Sequence, residues 1–111
     1  MNHERRILIA SESGISIQSF NDISEAVSNS FGAAGLIFVE NDLSSEFFNL
    51  RSGLAGELFQ KFINYRIRVA IVLPDPTAYG ERFSELAYEH RSHSAIRIVQ
   101  SRQEAMAWLS S

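Results

Sequence analysis

Residues 53–73 read GLAGELFQKFINYRIRVAIVL, and this stretch decides the fold. Set at 100° per residue, the side chains of its first part separate into two halves of a helix. The apolar half consists of Leu54, Ala55, Leu58, Phe59, Phe62, Ile63 and Tyr65. The polar half consists of Glu57, Gln60, Lys61 and Asn64. Because residues 69–73 are all apolar, the stretch predicts a long amphipathic helix that leads into a buried strand.

Four further segments carry strand patterns. The apolar runs at residues 6–10, 36–39 and 95–99 are typical of strands that are covered by other elements. Residues 15–18 alternate apolar and polar side chains, the period of a half-buried strand. Because a Gly-containing turn separates residues 6–10 from residues 15–18, the two strands are predicted to form an antiparallel hairpin.

Helix patterns fill the spaces between the strands. Amphipathic segments begin near Asp22, Thr77 and Ser101, and each of these three residues can cap a helix. The resulting order, ββαβαβαβα, predicts right-handed crossovers and a largely parallel sheet. We therefore expect one α/β domain over residues 1–111, with a mostly parallel five-stranded sheet and an N-terminal antiparallel hairpin.

Composition narrows the classes of function. The net charge of −3 gives no basic footprint for nucleic acid and no attraction to an anionic membrane. The chain has no cysteine, which excludes disulfides, thiolate nucleophiles and Cys-bound zinc. Its first apolar run is shorter than the roughly 7–15 residues of a signal peptide, and no run approaches the roughly 18 that span a bilayer. The sequence predicts a cytoplasmic protein.

Catalytic and cofactor motifs are missing from the sequence. It has no nucleophile elbow, phosphate loop or dinucleotide fingerprint. His90 and His93 are close together, but spacing fixes no third ligand, so no metal site is predicted. No cofactor is expected, and the sequence favours a non-enzymatic function.

The central stretch also resembles a known family. Its blocks are Gly53 to Glu57, then Gln60-Lys61-Phe62, then Asn64-Tyr65-Arg66, followed by an apolar strand. This series resembles the hallmark of a bacterial family known as domain of unknown function 4180. The resemblance implies no established activity.

The predicted element order is similar to that of STAS domains, the fold of anti-sigma-factor antagonists. Those domains place an Asp-Ser-Ser-Gly-Leu motif at the start of the second helix, and its first Ser is phosphorylated. Here the corresponding residues are Leu50, Arg51, Ser52, Gly53 and Leu54. The resemblance therefore implies a STAS-like topology, whereas the phospho-acceptor position holds Arg51.

Two candidate sites follow from the predicted fold. Ligands of parallel sheets favour the carboxyl ends of strands, here near residues 40–42, 73–77 and 100–101. The start of the central helix is the best candidate for an anion site, because free N–H groups and the helix dipole favour negative charge there. The candidate residues are Arg51, Ser52, Gly53 and Gly56. The alternative is an ordinary capped helix.

The polar half of the same helix is the second candidate site. Its residues Glu57, Lys61 and Asn64, together with Arg66, belong to the family blocks, whereas any polar residues would suffice for a solvated face. The hypothesis is a surface for a partner protein or for a second copy of this chain, and the alternative is an ordinary solvated face. The first functional hypothesis is a non-enzymatic protein-interaction or regulatory module, and the alternative is a protein that binds a small ligand or anion at the helix start.

Overall fold

The computed structural model describes residues 5–111 and shows an α/β fold with a parallel sheet. The strands are β1 (Ile7–Ile9), β2 (Gly35–Val39), β3 (Val69–Val72) and β4 (Ile96–Val99). The helices are α1 (Phe20–Ser30), α2 (Ser45–Phe48), α3 (Leu54–Asn64), α4 (Glu81–Glu89) and α5 (Arg102–Leu109). The amphipathic helix and apolar strand predicted from residues 53–73 are confirmed as α3 and β3.

The four strands lie side by side in the order in which they occur along the chain. Each pairs in parallel with the next, so all three crossovers step in the same direction across the sheet. Right-handed crossovers that step in one direction place their helices on one face. Accordingly, α1, α3 and α4 share one apolar core with the strand residues Leu36, Phe38, Val69, Ile71, Ile96 and Ile98.

The opposite face of the sheet is covered by α5. Ala105 and Leu109 are buried there against Ile37, Ala70, Val72 and Val99. Leu109 lies so close to Gly35 that a Cβ atom at that position would collide with its side chain. Arg68 fixes the end of α5, because its guanidinium donates to the carbonyls of Trp108 and Leu109 at 3.3 and 2.9 Å.

The predicted N-terminal hairpin and the fifth strand are wrong for residues 5–111. Ile15 and Ile17 are buried, as their alternation indicates, but neither pairs with β1. Ile17 instead forms a single parallel bridge with Leu43, beyond the end of β2. The period-2 pattern therefore gave the burial of the side chains correctly and their backbone partner incorrectly. Without that hairpin, the STAS-like topology is not confirmed.

Candidate functional site

An open groove of about 970 Å³ lies beside the carboxyl end of β2. One wall comes from the connection between β2 and α3, and the other comes from the residues around the start of α4. The first wall is lined by Glu40, Asn41, Leu43, Ser45, Phe48, Asn49, Leu50 and Arg51. The second wall is lined by Ala78, Tyr79, Gly80, Glu81, Arg82 and Phe83. The groove thus occupies the edge of the sheet at which ligands of parallel sheets bind.

An aromatic cluster of Phe47, Phe48, Tyr79 and Phe83 joins the two walls. The rings of Phe48 and Tyr79 stack with centroids 3.8 Å apart and planes 10° from parallel. Phe83 meets these two rings edge-on at 5.1 and 5.6 Å, and Phe47 meets Phe83 at 6.2 Å. Since aromatic pairs bury large apolar areas, the cluster fixes the walls relative to each other and gives the groove an apolar surface.

Each wall also carries one carboxylate and one guanidinium. Glu40 and Arg51 belong to the first wall, and Glu81 and Arg82 belong to the second. All four side chains are exposed, and none has an ion-pair partner within residues 5–111. A guanidinium without a partner can take up a carboxylate or phosphate through two parallel hydrogen bonds. The groove therefore combines an apolar surface with charges that are available to a ligand.

The hydroxyl of Tyr79 is an unsatisfied polar atom next to this groove. It is buried and has no hydrogen-bond partner in the part of the chain that the structure describes. A buried hydroxyl without a partner costs free energy, because its hydrogen bonds to water are lost and not replaced. The ring of Tyr79 contributes to the cluster, whereas its hydroxyl contributes no bond to the fold.

The predicted anion site at the start of α3 is only partly assembled. The Ser52 hydroxyl accepts from the N–H of Leu54 at 3.2 Å and donates to the carbonyl of Glu46 at 2.6 Å, so it acts as a cap. Gly53 has a φ of 80°, the left-handed conformation that glycine adopts without strain. A Cβ atom at Gly56 would meet nothing, so no close approach requires that glycine. Of the four predicted residues, Arg51 alone lines the groove.

The polar half of α3 is engaged mainly with itself. Glu57 and Lys61 approach to 4.0 Å, and both side chains are 42% exposed. Gln60 donates to the side-chain carbonyl of Asn64 at 2.9 Å. Exposed pairs of this kind stabilise a helix by only a few tenths of a kcal/mol, about 0.2–0.5. None of the four residues of this polar half lines the groove.

The end of α3 explains the Asn64-Tyr65-Arg66 block. Arg66 has a φ of 57°, which is left-handed and unusual for a residue with a side chain. The N–H of Arg66 donates to the carbonyl of Ile63, and that of Ile67 donates to the carbonyl of Phe62. These two bonds make a Schellman motif, the common helix stop in which glycine usually occupies the left-handed position. Arg66 thus stands where the fold would favour glycine.

A pair of exposed aromatic rings lies where α1 and α3 end. Phe31 is 59% exposed and Tyr65 is 53% exposed. Their rings meet edge-on with centroids 5.6 Å apart. Together with Lys61 and residues of α1 they line a small cleft between the two helices. We name this surface, defined by Phe31, Lys61, Tyr65 and Arg66, the α1–α3 face.

His90 and His93 have structural roles. The Nδ1 atom of His90 lies 2.9 Å from the carbonyl of Leu86 in the last turn of α4. The Nδ1 atom of His93 accepts from the N–H groups of Ala95 and Ile96 at 3.0 and 3.2 Å. The His90 ring is therefore held by the end of α4, and the His93 ring by the backbone at the start of β4.

Comparison with known families assigns the chain. The model of a domain of unknown function, DUF4180, matches residues 2–109. The chain belongs to the DUF4180 family. The resemblance seen in residues 53–66 thus extends over nearly the whole sequence. Searches of curated proteins and of solved structures gave no match. Because the description of DUF4180 names no activity, function has to be argued from the groove and the surface.

Sequence reasoning missed most of the groove in this DUF4180 protein. Of the strand ends expected to bind ligands, only residues 40–41 line it, while residues 73–77 and 100–101 do not. The helix predicted to begin near Thr77 begins instead at Glu81, and Tyr79 lies in a 3₁₀ turn before it. Glu81 and Arg82 gave no signal, since two charged residues at a helix start are ordinary.

Within residues 5–111 of this DUF4180 chain, no group of three or more His, Asp or Glu side chains is placed to hold a metal ion. None of the helices between Arg5 and Ser111 combines the length and apolarity that crossing a bilayer requires.

Proposed function

We propose that this protein binds a small organic ligand that carries an anionic group. The observation that supports this is the groove at the carboxyl edge of the sheet, which joins an aromatic surface to two guanidiniums without ion-pair partners in residues 5–111. A volume of about 970 Å³ is at the upper end of the range for sites of drug-sized molecules. The proposed role of the protein is ligand binding without catalysis.

Each part of the groove has a share in recognition. The stacked rings of Phe48 and Tyr79 offer an apolar surface to a ring or aliphatic group of the ligand. Arg51 and Arg82 come from opposite walls, and in this proposal the anionic group of the ligand binds between them. The predicted role of Arg51 in anion binding is kept in this proposal, with Arg82 in place of the glycines and Ser52.

A thermal-shift experiment with 3-phenylpropanoate tests this proposal. A ligand present at 100 times its dissociation constant stabilises the folded state by about 2.7 kcal/mol, so the melting temperature should rise. The neutral analogue 3-phenylpropanamide should give a smaller rise. The variant Arg82→Gln should lose the difference between the two compounds.

Arg102→Gln is the matched control, because Arg102 is also exposed at the start of a helix but does not line the groove. It should keep the wild-type response. If neither the carboxylate nor the amide changes the melting temperature, or if Arg102→Gln and Arg82→Gln respond alike, the proposal is wrong.

A second candidate function is protein contact through the α1–α3 face, as the sequence hypothesis expected. The supporting observation is that Phe31 and Tyr65 are each more than half exposed although both are aromatic. Aromatic residues are enriched at protein interfaces. The partner would be a second copy of this chain or another cytoplasmic protein, with Glu57, Lys61, Asn64 and Arg66 at the rim.

Light scattering over a range of concentrations tests the homodimer form of this candidate. The wild-type mass should rise with concentration, and Phe31→Ser with Tyr65→Ser should give a monomer throughout. Tyr88→Ser is the control, since Tyr88 is 65% exposed on α4. If the wild-type protein is a monomer at every concentration, the homodimer proposal is wrong.

A further inference from the structure

The groove continues along α4 into a second depression of about 550 Å³. Leu50, Glu81 and Arg82 line both, so the two form one surface without a break. The second depression is also lined by Leu86, Glu85 and Glu89. A ligand longer than the first groove therefore has a place to extend.

The extension is acidic at its edge and apolar beneath. Glu81, Glu85 and Glu89 are spaced by four residues, which puts them on the same side of α4. All three are exposed, and none has an ion-pair partner within residues 5–111. Leu50 and Leu86 are half-buried and pack on the core. The extension therefore complements a chain that carries positive charge and has an apolar stem.

We propose that the ligand is a short peptide with a free carboxyl terminus and a basic side chain upstream of it, which rests on the anion-binding function proposed above. The terminal carboxylate lies between Arg51 and Arg82, and an apolar side chain near that terminus packs on the aromatic cluster. The basic side chain lies along Glu85 and Glu89. The aliphatic stem of Lys or Arg suits Leu86 while its charge stays in water.

Dimensions and charge both agree with a peptide. Glu89 follows Glu81 by eight positions in the helix, which corresponds to a rise of about 12 Å. Three or four extended residues cover that length at about 3.3–3.6 Å each. A polyphosphate would be repelled by the three glutamates, and a polyamine by Arg51 and Arg82, whereas a peptide brings both signs of charge in the required order.

Isothermal titration with synthetic tetrapeptides tests the inference. Lys-Ala-Ala-Phe should bind more tightly than the same peptide with an acetylated Lys side chain. One exposed ion pair contributes about 0.2–1 kcal/mol, so the ratio of dissociation constants should be about 1.4- to fivefold. The difference should vanish in 1 M salt, because charges separated by more than about 3 Å are screened there.

The double variant E85Q/E89Q should bind both peptides equally and should bind 3-phenylpropanoate as the wild type does. E104Q is the matched control on α5 and should keep the preference for the unmodified Lys peptide. Equal affinity of the wild type for both peptides, with 3-phenylpropanoate still bound, would overturn the peptide inference alone. Failure of the peptides and of 3-phenylpropanoate to bind would overturn the proposed function as well.

Discussion

Two groups of aromatic rings within residues 5–111, the aromatic cluster and the rings of the α1–α3 face, differ in burial. In the aromatic cluster, Phe47 and Phe83 are 0% and 1% exposed, and the rings connect segments that are far apart in the sequence. On the α1–α3 face, the rings of Phe31 and Tyr65 touch while more than half of each remains in solvent. The aromatic cluster stabilises the fold beneath the groove. The rings of the α1–α3 face contribute little to the fold and are free to contact another molecule.

This difference is tested most directly by removing one ring from the aromatic cluster and one from the α1–α3 face. Phe83→Ala should lower the free energy of unfolding by about 3–5 kcal/mol, because it leaves a cavity among buried rings. Phe31→Ala should change it by no more than about 0.5 kcal/mol, as is usual for exposed sites. Urea denaturation measures both. Similar losses for the two variants would show that the α1–α3 face is part of the core.

The backbone of Arg66 provides a second test of how little the α1–α3 face contributes to stability. Arg66→Gly should raise the free energy of unfolding by about 0.5–1 kcal/mol, since glycine adopts the left-handed conformation without steric cost. Arg66→Ala, which keeps a Cβ atom in that conformation, should give no such gain. A loss of stability in Arg66→Gly would mean that the Arg66 side chain itself supports the fold.

The smallest effect is expected in the cluster, at the hydroxyl of Tyr79. Tyr79→Phe should leave the free energy of unfolding unchanged or raise it by up to about 1 kcal/mol, because an unpaired buried hydroxyl is removed and the ring is kept. Tyr88→Phe, at an exposed position, should have no effect. Destabilisation of Tyr79→Phe would reveal a hydrogen bond of that hydroxyl.

The fold was predictable where one periodicity dominated. The 3.6-residue pattern within residues 53–66 and the apolar run that ends at residue 73 gave α3 (Leu54–Asn64) and β3 (Val69–Val72) with small errors at their ends. Ile15 and Ile17 show the limit of such patterns. The alternation of apolar and polar residues indicates which side chains are buried. It does not indicate the backbone partner, because Ile17 pairs with Leu43, a residue that becomes available only beyond the end of β2.

The groove was less predictable than the fold. It forms only when residues 40–51 and 78–83 are brought together, and no local pattern links two segments so far apart. Arg51 was named from its place at the start of a helix, and it lines the groove. Arg82 has the same sequence setting as many exposed arginines. It is distinguished only by its position in the fold, on the groove wall opposite Arg51.

The turn that contains His90 and His93 also determines how the sheet can associate. On the outer edge of β4, the N–H of Ile96 donates to His93 Nδ1 and the N–H of Ile98 donates to the carbonyl of His90. The donors that another strand would need are thus occupied by the chain itself. Open sheet edges are the usual starting points of strand exchange and fibril growth. Addition of a foreign strand at β4 would first have to displace this turn, which protects that edge against aggregation.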